Sequence, residues 1–344
     1  MAPSELLDFS ASIHPVPPSP PILAALATYA ASPEHLTTYP DTNYSELKQA
    51  IAAYASVDSS CISVSNGVMA LLQAALRATE AKRCLVVVPA FTEYRRTLLA
   101  SGVECQSFCL SKDRNFACDV NQIGKALRET ASDTLLFANP HSPSGVLLSQ
   151  DAMSELMESA AQLGVKTIVD EAFIDYIPSE SLVKMATQLP FLIVLRSLTK
   201  FFAIPSLRVA YAVASASLKT DIDACVPLWP VDAIAAEAGR LVLTDVARIV
   251  DAREDNARER AWLTAQLSLP ELQVYPGQAN YLLIRMKSGK GIELWRELIV
   301  RHNIVVRSCA NFEGLDAGFL RLGVRSRAEN EKLVAAFKQA IRNL

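Results

Sequence analysis

Short unbroken apolar runs alternate along the chain with longer stretches whose apolar positions recur every three or four residues. Cys84–Val88, Thr134–Ala138, Val165–Asp170, Phe191–Arg196 and Arg208–Ala214 are runs of the first kind. Their length and their lack of an alternating polar face predict strands buried on both sides. Between them lie helical patterns. In Asp151–Leu163, residues Leu156, Met157, Ala160 and Leu163 share one face, and Gly164 stands where the helix should end. In Tyr44–Ala55, residues Leu47, Ile51 and Tyr54 share another. Strands alternating with helices predict an α/β domain with a mostly parallel sheet.

The texture changes after about residue 235. A long charged helical pattern covers Ala235–Leu267, and strand-like pieces follow at Asn280–Met286, Asn303–Arg307 and Gly318–Val324. Ser326 and Glu329 have the spacing of a capping box, and Leu333, Ala336, Phe337, Ala340 and Ile341 line one face of the helix behind it. The reading is a large domain over residues 37–240 and a small α+β domain over 241–344. Residues 1–36 form an arm that packs with the small domain. Within it, the HPVPPSPP stretch (His14–Pro21) is expected to be extended, because proline lacks the N–H that a helix needs.

Composition narrows the function. The net charge of −3 offers no basic surface for nucleic acid or anionic lipid. No apolar run is long enough to span a membrane. The opening MAPSELLDFSASIHP carries Glu5 and Asp8 and lacks a basic stretch followed by an apolar one, so it does not read as a signal peptide. Seven scattered cysteines without a CxxC predict a reduced, cytoplasmic chain. The four histidines are far apart in sequence, so no metal site is expected.

The segment RSLTKFFAIPSLRVAYAV (Arg196–Val213) poses the chemical question. Lys200 follows a buried run, with Ser197 and Thr199 just before it and Arg208 eight residues after. A desolvated lysine amine can form a Schiff base with an aldehyde. Two hydroxyls and a guanidinium suit a phosphate. An aldehyde that carries a phosphate is pyridoxal 5'-phosphate. Its ring nitrogen calls for a buried carboxylate, and Asp170 ends a strand. Its phosphate calls for backbone N–H groups at a helix start, and Gly67 and Val68 lead into an apolar helix. Phe91, after another strand end, is placed to cover a ring face. Each residue alone has a plainer reading: Lys200 snorkelling to water, Asp170 an N-cap, Asn66-Gly67 an ordinary turn, Phe91 core. Their joint position at successive strand ends, where open α/β sheets bind ligands, is the argument.

On these motifs the chain resembles the fold-type I pyridoxal-phosphate enzymes of the aspartate-aminotransferase superfamily, over nearly its full length. DFSASIHP (Asp8–Pro15), YPDTNYSELKQAIA (Tyr39–Ala52), VDEAFIDY and the Lys200 segment are similar to the histidinol-phosphate aminotransferase branch. Within that branch, VVRSCANFEGLDAGFLRLGVRS (Val305–Ser326) looks like the threonine-phosphate decarboxylases of cobalamin synthesis. The resemblance implies a large domain with a mostly parallel, seven-stranded type of sheet. It implies Lys200 as the Schiff-base lysine, Asp170 on the ring nitrogen, and Gly67, Val68, Ser197, Thr199 and Arg208 on the phosphate. It implies a homodimer in which Tyr39 reaches the partner's site, with Arg321 on the substrate carboxylate and Asn280 lining the site. Arg307 and Arg325 flank SCANFEGLD and are candidates for a second phosphate. Three positions depart from the pattern. Ser142 in NPHSPSG replaces an asparagine that bonds the cofactor's phenolic oxygen, Phe173 stands where many relatives have tyrosine, and His14, a candidate substrate contact, replaces an asparagine of the opening motif. The implied activity is decarboxylation of L-threonine O-3-phosphate. An aminotransferase of the same branch is the alternative, and a non-catalytic, cofactor-binding regulatory protein is the alternative of another class.

Overall fold

The computed structural model of the chain describes residues 6–344, so the first five residues of the predicted arm, Glu5 among them, lie outside the described residues. In chain order the strands are β1 Leu7–Asp8, β2 Ile62–Ser65, β3 Arg83–Val88, β4 Glu104–Cys109, β5 Thr134–Ala138, β6 Lys166–Asp170, β7 Leu192–Ser197, β8 Ala210–Val213, β9 Leu272–Val274, β10 Tyr281–Met286, β11 Ile304–Val305, β12 Arg307–Ser308 and β13 Phe319–Gly323. Seven of them form one sheet in the order β2-β8-β7-β6-β5-β3-β4. All neighbours pair in parallel except β8, which runs against both β2 and β7.

The continuous apolar runs are explained by burial on both faces. Leu85 and Val87 of β3 enter one core cluster while Cys84, Val86 and Val88 enter the cluster on the opposite face. Strand side chains alternate, so a strand covered on both sides has no position left for a polar residue. A second sheet, β12-β13-β10-β9, is wholly antiparallel. It backs onto a third cluster that gathers Phe9, Leu282, Leu294 and Phe337. Near the N-terminus, β1 pairs in parallel with β11, and the helix Pro20–Ala31 packs on the helix Ala233–Val242.

Three expectations are corrected. Pro20 and Pro21 are helical, because the first turn has no intrahelical acceptor waiting for their missing N–H groups. The long charged helix is broken into Ala233–Val242 and Val246–Gln266, with the Asp245 side chain accepting from Arg248 N at the restart. The single strand expected at Asn303–Arg307 divides into β11 and β12, which belong to different sheets. The capping box is present: Glu329 accepts from Ser326 N at 3.1 Å. Among the described residues no helix is long and apolar enough to cross a membrane, and all seven cysteines are unpaired.

Candidate active site

The parallel strands end on one side of the large sheet, and their ends enclose a cavity of about 480 Å³. Asp170 is the last residue of β6 and Ser197 the last of β7; Lys200 follows in the next turn. That turn is tied down from outside the sheet, because His14 N donates to the Lys200 carbonyl at 3.0 Å. Lys200, Asp170, Gly67, Val68, Phe91, Ser142, Ser197, Thr199, Arg208, Arg307 and Arg321 all line the cavity.

At its floor, burial pushes the Lys200 pKa down, and the Arg321 and Arg208 guanidiniums add to this against the opposing pull of Asp170. A lysine so placed is a better nucleophile than one in water. Burial pushes the Asp170 carboxyl up. Hydrogen bonds from the Tyr94 hydroxyl to Oδ2 (2.6 Å) and from Ala172 N to Oδ1 (2.9 Å), with the Lys200 charge, act in the opposite direction.

Part of the lining has the groups that suit a phosphate. The helix Val68–Ala78 starts at Gly67, whose φ of +122° suits glycine, and a Cβ there would lie 3.0 Å from the Arg208 guanidinium. The helix N-terminus, the Ser197 and Thr199 hydroxyls 2.8 Å apart, and the exposed Arg208 converge there. Two further arginines line the cavity. Arg307 of β12 and Arg321 of β13 are direct cross-strand partners. Arg321 stacks on Tyr281 at 5.2 Å and donates weakly to Ser142 Oγ (3.4 Å) and the Ser10 carbonyl (3.3 Å). Its buried Nε has no partner, and burial pushes its pKa down. Arg307 donates to the Ser308 carbonyl and Asn311 and lies over Phe312. Among the described residues no carboxylate takes a hydrogen bond from either guanidinium.

Four predicted residues are not brought to the cavity. Arg325 donates to Glu329 at 2.7 and 2.9 Å and to the Asp8 carbonyl, so the capping-box carboxylate neutralises it away from the site. His14 is buried behind the Lys200 turn, near Phe201, and burial with the Arg248 charge lowers its pKa to about 4. Asn280 is buried, with both side-chain polar atoms unpartnered. Tyr39 is 74% exposed and stacks on Trp229 beside a second cleft, which shares Asn66 and Arg208 with the cavity. Phe173 lines the cavity edge-on to Tyr281. Sequence reasoning missed Tyr94 and Phe312, which also line it. Tyr94 had one available signal, its position three residues after Phe91, which caps the start of its helix.

The enclosed lysine, the strand-end carboxylate and the helix-start anion cradle fit pyridoxal phosphate, and a sheet carrying them in this order defines a pyridoxal-phosphate enzyme. Residues 4–337 match the model of the family Aminotransferase class I and II, and the chain belongs to that family. It is 36% identical to the threonine-phosphate decarboxylase of Salmonella typhimurium, over 99% of this chain and 93% of that one. It is 26% identical to histidinol-phosphate aminotransferase 2 of Archaeoglobus fulgidus, over 97% and 93%. Among solved structures, the histidinol-phosphate aminotransferase of Clostridium acetobutylicum superposes with a TM-score of 0.91 at 27% identity, covering 98% of this chain and all of that one.

Proposed function

We propose that this protein is a carboxy-lyase that decarboxylates L-threonine O-3-phosphate to (R)-1-aminopropan-2-yl phosphate, a step of cobalamin biosynthesis. The observation that carries the reading is the cross-strand pair of Arg307 and Arg321. Like charges directly opposite in a sheet are unfavourable, and among the described residues no carboxylate takes a hydrogen bond from either guanidinium. Such a pair suits a substrate with two anionic groups, and an amino acid that carries a phosphate has both. The likeness to the Salmonella decarboxylase supports the same reading.

Bound pyridoxal phosphate supplies an electron sink beside the substrate's α-carbon. The chain's residues do the rest. Lys200 Nζ, its basicity reduced by burial, would hold the cofactor's aldehyde and would return a proton to the substrate's α-carbon. Asp170 holds a proton on the ring nitrogen. Gly67, Val68, Ser197, Thr199 and Arg208 bind the cofactor phosphate, Phe91 covers the ring, and Ser142 offers its hydroxyl to the phenolic oxygen. Arg321 takes the substrate carboxylate and Arg307 the substrate phosphate, which orients the carboxylate for loss. We also assign a homodimer in the reducing cytoplasm, with Tyr39 of one copy serving the other's phosphate site. The exposed Tyr39 and the cleft that joins it to Arg208 support the dimer, and the unpaired thiols support the compartment.

Histidinol-phosphate aminotransferase is the second reading, since the same residues serve both reactions and relatives of both kinds match over most of the chain. Purified protein with pyridoxal phosphate should release CO2 from threonine phosphate without any keto acid. Turnover only with histidinol phosphate and 2-oxoglutarate together would establish the second reading instead.

A further inference from the structure

Asp170 has one side-chain hydrogen-bond partner among the described residues, and it is Tyr94. The phenol is 2% exposed, is donated by the helix Thr92–Ala100, and lies 2.6 Å from Oδ2. Phe91 packs edge-on against its ring at 5.9 Å, so the hydroxyl is held in place from behind. Ala172 N occupies Oδ1 at 2.9 Å. A carboxylate has about four lone-pair sites, so both oxygens can still accept from a ring N–H. The groups that face Asp170 are Tyr94 from that helix, Lys200 from the turn after β7, and Tyr281 from β10. Glu171, next in the chain, is turned away into bonds with Arg196, Ser181 and Leu182.

We propose that Tyr94 is a positioning residue that sets the basicity of Asp170: by donating to Oδ2 it leaves the shared proton on the cofactor's ring nitrogen rather than on the carboxylate. This rests on the reading of Asp170 as the ring-nitrogen partner. Burial favours a neutral carboxyl, and the Tyr94 donor works against it together with Ala172 N and the Lys200 charge. Burial and the Asp170 charge also raise the phenol's own pKa well above its usual value, so it stays a donor.

The test is Tyr94→Phe in the holoenzyme, loaded with cofactor labelled with nitrogen-15 in the ring. The ring-nitrogen signal should move toward the unprotonated form, and kcat should fall roughly ten- to a hundredfold while KM holds. In cofactor-free protein, the Asp170 carboxyl should titrate at higher pH in the variant. An unchanged ring signal and an unchanged Asp170 titration would overturn the proposal. If Tyr94→Phe does not fold, 3-fluorotyrosine at position 94 keeps the ring and strengthens the donor. The Asp170 titration should then move down, and no movement overturns the proposal. Wild-type protein that binds no pyridoxal phosphate would instead refute the reading of the site, which is visible before any variant is made.

Discussion

Arg196 and Arg321 are both strand arginines surrounded by protein, yet only one of them is neutralised. Arg196 of β7 is 3% exposed, donates to Glu171 at 3.3 Å and to Ser181 at 3.0 Å, and pairs with Asp175. Tyr54 and Arg253 complete this cluster around Asp175. Arg321 meets a neutral hydroxyl, a carbonyl and a ring face, and it has Arg307 opposite. A buried cluster in which the guanidinium meets two carboxylates braces the ends of β6 and β7, which carry Asp170 and lead to Lys200. A guanidinium left short of anions is tolerated where a ligand brings them. The difference separates what holds the site from what the site is for.

The cavity side breaks most completely at Lys200. Lys200→Ala should lose turnover by several orders of magnitude and lose the cofactor's lysine-dependent absorbance band, because among the described residues no other lysine lines the cavity. An absorbance scan with and without substrate checks both. The scaffold side breaks at Arg196. Arg196→Met leaves Glu171 and Asp175 buried without their cation and should cost about 3–5 kcal/mol, read by denaturant unfolding.

His14 gives a smaller, pH-dependent effect. Its folded pKa of about 4 lies below the ordinary value of 6.5. Between those values the unfolded chain binds a proton that the native chain does not, so stability rises with pH across that window and is lost as pH falls through it. His14→Gln should flatten this slope, by at most about 3 kcal/mol between pH 7.5 and 4. Urea midpoints at the two pH values measure it; equal slopes in both proteins would contradict it. Gly67→Ala should have the smallest effect on folding, about 1 kcal/mol, from a φ that side chains avoid. It should weaken pyridoxal phosphate binding more visibly, since the added methyl approaches Arg208. A cofactor titration against wild type reads this.

Much of the frame was legible because β3, β5, β6 and β7 are buried on both faces and so read as unbroken apolar runs. β4 was missed because it is an edge strand with mixed exposure, and β2 because it is four residues, two of them serine. The helix break at Leu243–Asp245 was hidden by apolar periodicity that continues across it. At the site, residues at strand ends were legible because the chain order fixes where they emerge. Arg325 was not, since only the folded chain shows that Glu329 claims it. The hydrogen bond from Tyr94 to Asp170 spans 76 residues and leaves no local signature.

The contrast between the two arginines is tested most directly by unfolding wild type, Arg196→Met and Arg321→Met side by side, each loaded with pyridoxal phosphate, with and without threonine phosphate. Arg196→Met should be much less stable than wild type in either condition. Arg321→Met should match wild type without the ligand to within about 1 kcal/mol, because it removes a charge that no carboxylate among the described residues pairs. It should lose the stabilisation that threonine phosphate confers on wild type. If Arg321→Met is as unstable as Arg196→Met, or is still stabilised by threonine phosphate as wild type is, then Arg321 is a structural arginine and not the substrate's anion receptor.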